Sequence, residues 1–301
     1  MSISSFFYTL GAAGFLVLMA TRPPVPVPAT PPEPAKQAGA PLAQAATAAT
    51  AATAATAATA ATAATADYER EQRLASEISE AIFDGDVITL NDGQRDFMAI
   101  QTMAENPKGT VIILHGRGFH ADWTDTINPL RTLLPTEGWS TLSVQMPVLE
   151  KQAKYYDYVP LFPEASKRID AAILHLQNQD NKPIILLGHS CGGHMAMHWL
   201  NQNGDKNLAG VIGLGLGATD YQQYMAQPFP LDKLTVPVLD LYGEADYPAV
   251  IRMAPERLAM IEAAGNPQSA QIVMPQANHY FTDNGEPLTD LVADWLNRLT
   301  L

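Results

Sequence analysis

Two rhythms of apolar residues alternate along residues 86–299. Residues 86–90 and 96–103 are short strand-like runs joined by Asn91-Asp92-Gly93, a turn triplet suited to a hairpin. From residues 110–114 (TVIIL) onward the runs are mostly apolar, as in strands covered on both faces; residues 139–144, 183–187 (PIILL), 208–216, 236–242 and 270–274 continue the series. Between them the spacing turns helical. Ile127, Leu130, Leu133 and Leu134 form one set, Ile169, Ala172, Ile173 and Leu176 another, and residues 255–264 and 286–299 are further helices. The last carries Leu288, Leu291, Val292, Trp295 and Leu299 on one stripe, with Glu286 and Asp290 in its first turns, where the helix dipole favours acids. A polar helical segment, residues 67–82 (DYEREQRLASEISEAI), precedes the hairpin. This alternation predicts an α/β fold: a mostly parallel sheet with an antiparallel start and helices on both faces.

The residues before this region follow neither rhythm. Residues 6–20 (FFYTLGAAGFLVLMA) are mostly apolar, short for a membrane-crossing helix and of the length of a signal-peptide core. The preceding MSISS lacks Lys and Arg, and no cysteine follows the run to carry a lipid. Residues 22–41 are proline-rich, which predicts an extended, semi-rigid chain. Residues 45–65 are seven Ala-Ala-Thr triplets, whose threonines walk around a helix surface and leave no apolar stripe. The predicted organisation is a hydrophobic signal or anchor over residues 1–21, a low-complexity linker over 22–66 and one globular domain over 67–301. Export to the periplasm or cell envelope is expected, with residues 6–20 as a membrane tether if they are retained.

Charge and cysteine content narrow the chemistry. The net charge is −13 and no basic stripe is visible, so nucleic acid is not an expected partner. Cys191 is the only cysteine, which rules out an intramolecular disulfide and a cysteine-based metal site. No metal or organic cofactor is implied.

The chemistry concentrates in PIILLGHSCGGHMAMHWL, residues 183–200. Gly188-His189-Ser190-Cys191-Gly192 stands where a buried strand becomes a helix, the setting of a nucleophile elbow. A turn that tight needs flanking residues without bulk, and it lifts the serine above the strand end. A serine hydroxyl needs a base, and the base an orienting acid, in the chain order Ser, Asp or Glu, His. Downstream of Ser190 the histidines are His194, His198 and His279. The first two belong to the helix that begins at the serine; His279 follows the last strand, where it can swing over Ser190. Asp246, on the loop after the PVLDLYG strand, is the candidate acid, with Glu244 its near rival; Asp240 lies inside that strand and Asp220 follows an earlier one. The amides of Cys191 and Arg117 are the candidate oxyanion donors, Arg117 lying in the glycine-rich His115-Gly116-Arg117-Gly118 loop that follows TVIIL. His115 is expected to organise that loop. Arg117, Phe119, His189, Tyr155 and Tyr156 are candidate substrate contacts, the Arg117 guanidinium either facing solvent or binding an acidic substrate or leaving group.

With these residues in order, residues 86–300 resemble an α/β-hydrolase. LHGRGFHADW, PLRTLLPTEGWSTLSVQMP and LGHSCGG together resemble a bacterial α/β-hydrolase family of unassigned function. The resemblance implies the fold and a serine-hydrolase apparatus at Ser190, Asp246 and His279. Only a short segment separates residues 216 and 236, which predicts a small or absent lid; residues 147–163 and, opposite them, Tyr221, Tyr224, Met225 and Phe229 are candidate pocket walls. The expected function is hydrolysis of a small-molecule carboxylic ester through an acyl-enzyme. Acyltransferase or peptidase chemistry would use the same groups, and a non-catalytic envelope scaffold on the same fold is the rival from another class.

Overall fold

Val111 and Ile113 of one strand belong to one core and Ile112 and Leu114 of the same strand to another. Successive side chains of a strand point to opposite faces, so a strand apolar at every position must be covered twice. The computed structural model describes residues 65–179 and 182–300. Helix α1 (Tyr68–Ser79) leads into β1 (Asp86–Asn91), β2 (Asp96–Thr102) and β3 (Gly109–Leu114). Then come α2 (Ile127–Leu133), β4 (Trp139–Val144), the short α3 (Tyr155–Tyr158), α4 (Phe162–Gln179) and β5 (Ile184–His189). The chain continues through α5 (Cys191–Asn203), β6 (Gly210–Leu214), β7 (Val238–Ala245), α6 (Pro248–Ala264), β8 (Ala270–Asn278) and α7 (Gly285–Arg298).

The strands form one sheet in the order β1-β2-β4-β3-β5-β6-β7-β8. β1 and β2 pair antiparallel, as do β2 and β4, and the other neighbours are parallel. Helices α4 and α5 cover one face with Ile169, Leu176, Met195 and Trp199. Helices α2 and α7 cover the other with Ile127, Leu130, Leu288 and Trp295. Each leucine or isoleucine so buried contributes about 1.5–3 kcal/mol. The parallel order turns the carboxyl ends of β3, β5, β6, β7 and β8 toward the same edge, where loops gather.

Three boundaries differ from those read in the sequence. α6 begins at Pro248, not at Pro255, which lies inside it. Proline suits the first turn, where its missing N–H has no partner to lose, whereas Pro255 leaves one interior carbonyl without its helical donor. β8 runs past residue 274 to Asn278, and its pairing with β7 is irregular between Gly243 and Ala245. A side chain at Gly243 would meet the Ala277 carbonyl at 2.2 Å, so glycine permits the close approach. Ala66, assigned above to the linker, is buried, and the next amide, of Asp67, donates to the Val148 carbonyl at 2.8 Å. The signal or anchor segment and the linker up to residue 64 lie outside the described residues. No helix among the described residues is long and apolar enough to cross a membrane.

A buried arginine ties the entry helix to this frame. Arg168 of α4 donates to Glu71 of α1, to Glu164 and to the Gln145 carbonyl, each at 2.8 Å. Burial raises the Glu71 carboxyl, against the pull of Arg168. From the same helix, Arg70 donates to the carbonyls of Leu149 and Gly118 at 2.5 and 2.9 Å. α1 thereby holds the loop that follows β3.

Candidate active site

Ser190 stands between β5 and α5 with φ 54° and ψ −119°, a backbone state that costs a non-glycine residue of order 1–3 kcal/mol. The packing around it forces the turn. A Cβ on Gly188 would sit 2.7 Å from the Gly193 Cα, and one on Gly192 would sit 2.5 Å from the carbonyl oxygens of Leu114 and His115. The helix therefore crowds against β3 and β5, and the serine is raised at their carboxyl ends.

His279 follows the last residue of β8, and its Nε2 lies 2.9 Å from Ser190 Oγ. On the other side of the ring, Nδ1 lies 2.7 Å from Asp246 Oδ1. An ionised carboxylate can only accept, so Nδ1 carries the proton and Nε2 is free to accept from the serine hydroxyl. Asp246 and His279 are both buried, and the Tyr247 amide donates to the same Asp246 oxygen at 2.6 Å. Glu244, the rival acid, is exposed and accepts from the Gln276 amide at 2.9 Å instead. Gly215, at the end of β6, makes room for the pair. It has φ +59°, and a Cβ there would stand 2.9 Å from His279 Cε1 and Nδ1 and 3.2 Å from Asp246 Oδ2.

The loop after β3 closes the other side. His115 is buried and pushed down to about 3, first by burial. Its Nδ1–H donates to the Gly116 carbonyl at 2.8 Å, and its Nε2 accepts from the Met146 amide at 2.9 Å. This neutral ring staples the loop to the end of β4. Phe119 stacks on Trp123 at 3.8 Å and lines the cleft over Ser190 with Arg117, Tyr155 and Tyr280. Cys191 opens α5, so its amide has no partner within the helix. Burial pushes its thiol up to about 12, which leaves the sulfur unreactive.

Of the other residues singled out in the sequence, some reach the cleft and others do not. The Arg117 guanidinium is paired with Asp220 at 2.9 and 3.2 Å, while its side chain stays partly exposed and borders the cleft. His189 is corrected as a substrate contact. It is fully buried beneath the serine, and its Nε2–H donates to the His279 carbonyl at 2.9 Å. Tyr156 is likewise corrected: its ring is turned outward, its hydroxyl donates to the Tyr224 carbonyl at 3.0 Å, and it does not line the cleft. Tyr155, its neighbour, does line the cleft, with its ring 4.8 Å from that of His194. His194 bonds the Ala218 carbonyl and His198 the Gln227 side chain, so both serve packing. Gly215 and Tyr247 are not among the residues singled out in the sequence, the second of them stacked on His279 at 4.3 Å and 28°. The GLG spacing at residues 213–215, at the end of a strand, was the available signal for the first. Among the described residues no cluster of His, Cys, Asp or Glu is arranged to hold a metal ion.

Est1E from Butyrivibrio proteoclasticus matches with a TM-score of 0.55 at 16% identity, over 71% of this chain and 98% of that one. XC6422 from Xanthomonas campestris, an α/β serine hydrolase without lid, matches with a TM-score of 0.52 at 14% identity, over 72% of this chain and 95% of that one. Both likenesses carry the α/β-hydrolase fold. In sequence, 110 residues are 26% identical to Phospholipase YtpA of Bacillus subtilis (strain 168), which is 36% of this chain. The match spans only 40% of that relative's length. A family model covers far more, residues 35–159 and 162–298, and the chain accordingly belongs to the family described as "Protein of unknown function (DUF3530)".

Proposed function

We propose that this protein is a serine hydrolase that cleaves carboxylic esters through an acyl-enzyme. The observation that carries the reading is the unbroken hydrogen-bonded line from Ser190 through His279 to Asp246, at 2.9 and 2.7 Å, beneath a strained elbow. Ser190 Oγ attacks the ester carbonyl carbon while His279 Nε2 takes its proton. Asp246 holds the imidazole in the tautomer that can accept and stabilises the imidazolium that results. The amides of Cys191 and Arg117 receive the oxyanion, in a setting where the neighbouring helix N-terminus favours negative charge. His279 then protonates the departing alkoxide, and water attacks the acyl-enzyme by the same route in reverse. Likeness in fold to hydrolases, one of them lidless, supports the reading.

Labelling of the full-length chain with a fluorophosphonate, located by peptide mass spectrometry, tests it. The expected adduct is on Ser190 and is lost in Ser190→Ala and His279→Ala. A folded protein that takes no label would overturn the reading and favour a binding scaffold.

We further propose that residues 6–20 direct export, with the domain held at the cell envelope; the apolar run supports this. Fractionation of cells expressing the full chain, with and without residues 6–20, tests it. Equal distribution of the two forms would refute it.

A further inference from the structure

Two cavities meet beside Ser190, and they differ in size and chemistry. The cleft over the serine encloses about 40 Å³. That is room for about three waters or a short acyl group. Arg117 and Tyr247 line this cleft and also a second, larger space, a groove of about 750 Å³. The groove opens on the histidine side, because Tyr247 is the residue stacked on the His279 ring and Arg252 of α6 continues its wall. On the serine-hydrolase reading above, on which this inference rests, His279 Nε2 returns its proton to the leaving oxygen. A leaving group held along Tyr247 therefore extends into the groove, and the acyl group stays in the small cleft.

The groove is lined by rings and polar groups together. Tyr221 and Tyr224 are 90% and 85% exposed, although large apolar faces are ordinarily buried. Their segment is anchored: Asp220 is paired with Arg117 and also accepts from the Tyr155 amide at 2.5 Å, and the Tyr156 hydroxyl holds the Tyr224 carbonyl. Gln222, between the rings, and Arg252 supply donors, and Arg252 makes no ion pair among the described residues. Ring faces beside amide and guanidinium groups suit a ligand with apolar C–H faces and many hydroxyls. A fatty chain would bury those polar groups without partners, at a cost in affinity.

We propose that the groove binds the saccharide part of an O-acyl sugar, and that the protein removes short, acetyl-sized acyl groups from saccharide hydroxyls. Ser190 Oγ bonds to the acyl carbon, the bond from that carbon to the sugar oxygen breaks, and the serine proton passes through His279 to the sugar oxygen. Water then adds to the acyl carbon and releases acetate, its second proton restoring the serine hydroxyl. One ester and one water give one alcohol and one acid.

Kinetics of the full-length chain on ethyl acetate, O-acetylated cellotriose and O-octanoylated cellotriose test the proposal, beside the fluorophosphonate labelling. The expected kcat/KM for the acetylated trisaccharide exceeds that for ethyl acetate by about tenfold or more, and Tyr221→Ala with Tyr224→Ala, or Arg252→Ala, brings the two together. The octanoyl ester is expected to be slower than the acetyl ester by about a hundredfold. A ratio near one, a ratio the variants leave unchanged, or a faster octanoyl ester overturns the saccharide assignment while labelling at Ser190 leaves the hydrolase reading standing. Absence of both label and turnover overturns the two together.

Discussion

His189 donates its Nε2–H to the main-chain carbonyl of His279 at 2.9 Å, so the residue before the serine holds the backbone of the residue that hydrogen-bonds to it. The His189 ring is fully buried, and burial pushes it down to about 3, which keeps it neutral and in one tautomer at neutral pH. Its centroid lies 5.2 Å from that of His279, close enough to set the plane in which that imidazole lies. A strand end and a loop that are 90 residues apart in sequence are thereby tied at the one point where their separation matters.

On the proposed serine-hydrolase reading His189 is a positioning residue, and its loss should act on the rate rather than on binding. His189→Ala is expected to lower kcat on a small acetate ester by about 10- to 100-fold with KM nearly unchanged. His189→Gln, which can present an N–H to the same carbonyl, is expected to recover most of that loss. A KM effect of equal size, or no rescue by glutamine, would argue against the role.

Asp246 governs which nitrogen of His279 carries the proton. Asp246→Asn keeps the volume but offers a donor where an acceptor is required, and kcat is expected to fall by about 10⁴-fold. Steady-state kinetics alongside circular dichroism, to show the fold intact, decides this. Glu244→Gln, at an exposed side chain that accepts from the Gln276 amide, is expected to leave the rate within about twofold, since exposed polar substitutions have small effects.

Gly215 separates two effects that most substitutions confound. Gly215→Ala places a methyl 2.9 Å from the His279 ring and forces alanine into φ +59°. The backbone term alone should cost about 1–2 kcal/mol of stability. Activity is expected to fall much further than the lost stability accounts for, because the ring must move from its 2.9 Å contact with Ser190. Urea unfolding and turnover measured on one preparation check both; full activity in the destabilised variant would refute the packing argument.

Acid sensitivity should begin above the carboxylate range. Burial holds His115, His189 and His194 at about 3, about 3 and about 4, down from 6.5. Between those values the unfolded chain binds protons that the fold excludes, so stability is lost as pH falls through 6.5, and the loss levels off only below the folded values. Glu71 and Asp240, raised by burial, act in the opposite sense, each opposed by a paired arginine. The urea midpoint is expected to drop between pH values of about 7.5 and 5, and His194→Phe is expected to flatten that slope. A midpoint independent of pH in the parent chain would contradict the burial of these rings as neutral groups.

The legible part of this protein was local. Strand runs such as TVIIL and PIILL reveal burial on both faces because successive positions are apolar with almost no alternation, and the Gly-His-Ser-Cys-Gly turn reveals itself because its flanking glycines have no steric alternative. Boundaries were less legible where one residue type suits two places. Proline is acceptable at the start of a helix, so the pattern admits Pro255 as a start, while Pro248 fills that role and Pro255 sits inside.

What the sequence determined by itself was the order of elements and the supply of chemistry: a serine in a strand-to-helix turn, an acid after a later strand and a histidine after the last. Tertiary structure alone decided which atoms meet. Asp220 lies 103 residues from the arginine it neutralises, and His189 could be assigned to substrate or to backbone until the fold turned its ring inward. Periodicity reports which face of an element is covered, because burial repeats along the chain. It does not report what a given side chain finds there, because a hydrogen bond between distant residues depends on where two loops converge at the end of a sheet.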